Sequence, residues 1–154
     1  MTTHQVPVPA PAAVPLAATD LLERSRATLE SACRAVDTAE RHREAYLGAL
    51  RAGAALVAAR TRPMPRVRPR SVWQALPEAA PELGEWATFF AASSRQQALA
   101  DRGGWVSARE ADDLLRQSEM FLRIVSDLLG APPAAPLPES ITPAHVSRPS
   151  GRGL

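Results

Sequence analysis

Two stretches of this chain carry residues able to touch an anionic or reacting group. The first is RTRPMPRVRPR, residues 60–70, with five arginines, three prolines and no acid in eleven positions. A guanidinium is a planar fork of N–H donors that matches phosphate oxygens, and prolines hold a backbone extended. Arg60, Arg62, Arg66, Arg68 and Arg70 could therefore follow the phosphates of RNA or DNA. The plainer alternative is a stiff, solvated connector between helices. The second stretch is Glu40-Arg41-His42-Arg43-Glu44, with Tyr46 just beyond it. An imidazole beside two guanidiniums could contact a phosphate or move a proton. The competing interpretation is a helix entrance where His42 packs its ring edge and Arg41 and Arg43 stay in water.

The rest of the inventory excludes more than it offers. All 18 basic residues of the 154 are arginine. Without lysine there is no phosphate-loop lysine, no kinase-type strand lysine and no Schiff base. His4 and His145 fall in expected tails, and Cys33 is the single cysteine. No Glu-x-x-His pair occurs, so neither a structural zinc site nor a di-metal bundle centre is expected. Gly103-Gly104 is better read as a turn than as a phosphate loop, and a Ser/His/Asp triad would have to use His42. No catalytic residue, metal or cofactor is assigned. One cysteine cannot make an intramolecular disulfide, which points to a cytoplasmic location; Cys33 itself reads as a small core residue. Residues 5–18 are apolar but hold four prolines and no basic segment, which fits neither a signal peptide nor a membrane span. The longest apolar helical candidate, 44–59, is interrupted by Arg51, so no membrane is expected as a partner.

The elements that must carry these residues are helical. The spacing of Leu22, Leu29, Ala32, Cys33 and Val36 predicts a first helix over 20–36, with Asp20 and Glu23 as a capping box. Asp37 and Glu40 repeat the box, so a second helix starts at Thr38, with His42, Tyr46, Ala49, Gly53, Leu56 and Val57 on one stripe. Ala49 and Gly53 leave a shallow groove for another helix. The prolines of the connector stop this helix. Ser71 and Gln74 box one short turn. Pro81 suits the first turn of a helix over 81–100, whose face carries Leu83, Trp86, Phe89 and Phe90. Ser107 and Glu110 box the last helix, with Ala111, Leu114, Leu115, Ser118, Phe121, Val125 and Leu128 inward and Gly130 as its C-terminal cap. Asp112 with Arg116 and Glu119 with Arg123 are expected as i,i+4 surface pairs. No strand pattern competes. The expected architecture is all-α: a bundle of four main helices plus a short extra turn. It comprises a disordered Pro/Ala-rich tail (1–18), a helical domain (19–130) containing the connector, and a disordered Pro-rich tail (131–154).

HREAYLGALRAGAALVAAR, then SVWQALPEAAPELGEWATFF, then VSAREADDLLRQSEMFLRIVSDLL resemble, in order and spacing, a HEPN domain. More closely, they resemble a small actinobacterial branch of that superfamily, over about residues 20–130. The resemblance implies a four- or five-helix bundle, often paired as a homodimer. Many HEPN proteins are metal-independent RNases that hold a phosphate with an arginine and move protons with a histidine five to seven positions later. This chain departs from that motif. Arg95 precedes Gln96, but Ala100, Asp101 and Arg102 stand where the histidine would be; Arg102 precedes Gly103-Gly104, and residues 107–109 hold no histidine. Arg41 and His42 are adjacent, hence about 100° apart on a helix. The expected function is a non-catalytic module engaging RNA, DNA or a nucleoprotein through the connector. The alternatives are a homodimerising protein-interaction module built on Ala49, Gly53, Trp86, Phe89 and Phe90, and a degenerate RNase or toxin using His42.

Overall fold

Side-chain caps set most of the helix starts. The computed structural model describes residues 14–61, 70–132 and 136–138, and its described residues form five α-helices and one 3-10 turn with no strand. The helices are α1 (Leu16–Arg34), α2 (Thr38–Arg60), α3 (Val72–Ala79), α4 (Gly84–Asp101) and α5 (Ala108–Leu128), with the 3-10 turn Pro81–Leu83 leading into α4. The Asp37 carboxylate accepts the Glu40 backbone N–H at 2.8 Å and so caps α2. Ser71–Gln74 and Ser107–Glu110 both form reciprocal capping boxes, opening α3 and α5. The expected short turn is thus an eight-residue helix, and Pro77 is tolerated inside it. Gly130, at φ 64°, follows the end of α5 as expected of a C-terminal cap.

Three local expectations are corrected. Asp20 does not cap α1. The helix begins at Leu16, inside the expected tail, because the Pro15 carbonyl accepts the N–H groups of Ala18 and Thr19, and a proline at the helix start has no N–H to strand. Asp20 instead pairs with Arg24 at 3.0 Å within the helix. Val36 is 94% exposed, because α1 stops at Arg34 and Val36 falls in the turn beyond it. In the expected C-terminal tail, Leu137 packs against the core. His4 and His145 lie outside the described residues.

α2 is the central strut, buried on more than one side, as its small residues permit. Toward α1 it presents Gly48. A Cβ there would lie 2.7 Å from Leu29 Cγ, so only glycine allows this approach, and the buried Ser25 hydroxyl donates to the Gly48 carbonyl at 2.7 Å. Arg51, midway along α2, donates to the Thr28 hydroxyl of α1. Toward α3 it presents Gly53, whose added Cβ would meet Val72 Cγ1 at 2.9 Å and Trp73 Cζ3 at 3.1 Å. The groove expected at Ala49 and Gly53 is therefore filled from within the chain.

The other half of the core is aromatic. Trp73 of α3 stacks on Phe90 of α4 at 5.0 Å, Phe90 meets Phe121 of α5 at 5.0 Å, and Trp86 lies 5.6 Å from Phe121. These rings join three helices, and each pair adds about 0.5–1.5 kcal/mol beyond the area it buries.

Candidate functional site

Three turns of helix meet where α2 begins, α4 ends and α5 begins. His42, 1% exposed, shares a hydrogen bond with Gln97 of α4 (Nδ1···Oε1, 2.6 Å). The Gln97 amide donates to Asp101 Oδ1 at 2.9 Å, which fixes its orientation. Its oxygen therefore faces the imidazole, and Nδ1 is the donor. Arg43 approaches the same Asp101 oxygen at 3.6 Å. Arg41 points the other way, as neighbouring helical residues must. Its guanidinium donates to Asp112 of α5 at 2.5 Å and to the Ala35 carbonyl at 2.8 Å. Asp112 thus pairs across the bundle instead of with Arg116, which takes Asp113 at 2.8 Å; the Glu119–Arg123 pair forms as expected, at 3.6 Å. Tyr46 accepts the Trp73 indole N–H at 2.9 Å and belongs to the aromatic core. The Arg41, His42, Arg43 and Tyr46 cluster is a clamp among helices, and its imidazole is not presented to solvent.

The connector's two ends meet at a second polar corner. Arg70 forms a two-pronged contact with Glu78, at 2.5 and 2.7 Å. Arg60 reaches Glu82 at 3.1 Å and the Ala79 carbonyl at 3.3 Å. Hydrogen bonds and charge from Arg70 hold the Glu78 carboxyl below its ordinary range; Glu82 is lowered first by its own backbone N–H and then by Arg60. Glu110 is lowered too, chiefly by the Ser107 backbone N–H and then by the Ser107 hydroxyl. Arg62, Arg66 and Arg68 lie outside the described residues.

Elsewhere chemistry is sparse. Cys33 is half-buried, with its thiol pushed up by burial and then by Glu119, which disfavours the reactive thiolate. Among the described residues no group of three or more His, Cys, Asp or Glu stands ready to hold a metal, and no helix is long and apolar enough to cross a membrane.

With a buried histidine clamp, an aromatic three-helix core and a long inter-helix connector in place, the comparison with known families becomes decisive. A family model described as SAV_6107-like HEPN matches residues 32–126, more than half of the chain. The chain belongs to the HEPN superfamily. No curated protein and no solved structure matches it. The match runs from the last turn of α1 to near the end of α5, so it contains the clamp, the connector and the aromatic core of this HEPN domain. At the positions that would carry a HEPN RNase motif, Arg95 is exposed, and Asp101 accepts from Gln97 where a histidine would be needed.

Proposed function

We propose that this HEPN domain is a non-catalytic binding module that engages RNA or DNA, free or within a nucleoprotein, through the segment 60–70. The observation that carries this reading is the segregation of charge. Residues 20–59 and 71–130 together hold 15 acids and 11 arginines, a net of −4, while residues 60–70 hold +5. A lysine-free, arginine-rich composition would scatter arginines evenly; here they are gathered on one connector. Arg60 and Arg70 are part-neutralised by Glu82 and Glu78, so Arg62, Arg66 and Arg68 bear most of the expected phosphate contact. The non-catalytic half rests on His42, the only histidine of residues 20–130, which sits 1% exposed in a hydrogen bond to Gln97. A homodimer without nucleic acid would have to use surfaces other than Ala49, Gly53 and Phe90, which the chain itself covers.

The test is a salt series of binding titrations with RNA and with DNA. Each phosphate contacted on duplex DNA adds about −0.9 to the slope of log affinity against log salt. Replacing all five connector arginines by serine is expected to abolish that slope; absence of any salt-dependent binding by the unaltered chain would refute the proposal.

A further inference from the structure

We infer that Trp105, on the turn between α4 and α5, forms with Leu99 and Arg102 a stacking site for the bases of single-stranded nucleic acid. The inference rests on the nucleic-acid reading above and adds to it a second, non-electrostatic contact. Trp105 is 85% exposed, whereas Trp73 and Trp86 belong to the ring cluster of the core. Its turn is built, not slack. The N–H groups of Arg102 and Gly104 both bond the Leu99 carbonyl, at 3.1 and 3.0 Å, and Gly103 bonds Ala100 at 3.1 Å. Gly103 sits at φ 91°, and a Cβ on Gly104 would lie 2.7 Å from the Leu99 carbonyl oxygen. Only glycines let the chain fold back over the end of α4 in this way. Val106, the next residue after the indole, is buried, and Ser107 then caps α5. The indole is therefore displayed between two anchored points.

The surface beside it suits an anionic chain with flat faces. Arg95 and Leu99 lie four apart on one face of α4, Arg102 follows at its end, and Leu99 is 63% exposed. Neither arginine has a carboxylate partner among the described residues. Of the nearby acids, Asp101 is turned toward Gln97 and Arg43, and Glu110 is held by Gln96 and Ser107. Farther up the same outer face come Ala92, Phe89 and Thr88, all exposed, and the first acid on it is Glu85 in the opening turn of α4. Aromatic and aliphatic surface flanked by unpaired guanidiniums is the composition that holds single strands, because every base has a stackable face and every nucleotide a charge. A two-fold pairing centred near Leu99 would oppose Arg95 with Arg102, which disfavours a second copy over the Trp105 end of the face. α4 starts at the corner that holds Arg60 and Arg70 and ends at this turn, about 27 Å away at 1.5 Å per residue, so one strand laid along it reaches both. Paired bases offer no free faces, which makes the site selective for single strands.

The experiment titrates the full chain with a short single-stranded RNA, and with the same RNA annealed to its complement, reading anisotropy and tryptophan fluorescence. Trp105→Ala is expected to weaken single-strand affinity roughly 5- to 150-fold, the size of one base–aromatic stack. It should leave duplex affinity and the helical circular dichroism unchanged. Trp105→Phe should retain most of the affinity. If the five-serine connector variant still shows single-strand quenching that Trp105→Ala lacks, the stacking site stands and the connector reading falls. If Trp105→Ala binds single strands as the unaltered chain does, while the connector variant does not, the stacking site falls and the connector reading stands. No binding of either RNA form overturns both. Quenching by a glutamate-rich amphipathic peptide but not by RNA overturns the site in favour of protein docking.

Discussion

The two ends of α2 hold the same kind of residue in opposite circumstances. At the N-terminal end Arg41 and His42 are drawn inward and tied to Asp112 and Gln97, each on a different helix. At the C-terminal end Arg60, and Arg70 across the connector, meet Glu82 and Glu78 on exposed ground. In the first set His42 has given up water and Arg41 and Asp112 most of theirs, so each group depends on its partner, and removing one strands the other. The second set keeps its water and can exchange a carboxylate for a phosphate at small cost. One end of α2 therefore holds helices together, while the other keeps its charges in water. Residue type alone did not separate them; what the residues face did.

The comparison breaks first at His42. His42→Ala should destabilise the fold by about 2–4 kcal/mol, combining a cavity with a stranded Gln97 amide, measured as a lowered urea midpoint. A change under a few tenths of a kcal/mol would mean the clamp does not clamp. Asp112→Ala should follow at about 1–3 kcal/mol, because Arg41 is left half-buried with one carbonyl. Replacement of all five connector arginines should leave the urea midpoint where it is while salt-dependent binding disappears; a collapse of the fold would erase the distinction between the two ends. The smallest effect is a titration. Glu78 and Glu82 have folded values below the ordinary carboxylate value of about 4.3. Their contacts with Arg70 and Arg60 are complete above that value and fade as pH falls through the lowered folded value. Carbon NMR of the Glu78 carboxyl should show the low midpoint, and Arg70→Ser should return it to the ordinary range.

Helix starts were legible wherever the bond that makes them spans three residues. Asp37, Ser71 and Ser107 each accept the N–H of the residue three positions on, and each was visible as a pattern of neighbours. Asp20 misled because the same pattern sat inside a helix already begun at Leu16. Asp112 misled for a different reason. The residue four positions on, Arg116, was visible, but the bundle offered Arg41 from 71 positions away and a drier environment. Gly48 lies off the stripe that runs from His42 to Val57, and a helix surrounded by neighbours has more than one buried stripe. The sequence hint was available in the run of alanines and glycines at Ala45, Gly48, Ala52 and Ala55, all of which are buried. Trp105 follows the Gly103-Gly104 turn, and nothing in its neighbours announces that the indole stays in water.

The order of caps, prolines and apolar spacings determined by itself that this protein is all-helical and where most of its helices start. Those features depend on bonds and periodicities within a few residues, which adjacent side chains encode directly. Only the tertiary structure decided that His42 faces inward, that Asp112 serves Arg41, that Gly53 is covered by α3, and that Trp105 stays in water. Each of these depends on which helices meet and at what depth, because burial decides whether a charge is tied to its partner or left free to bind.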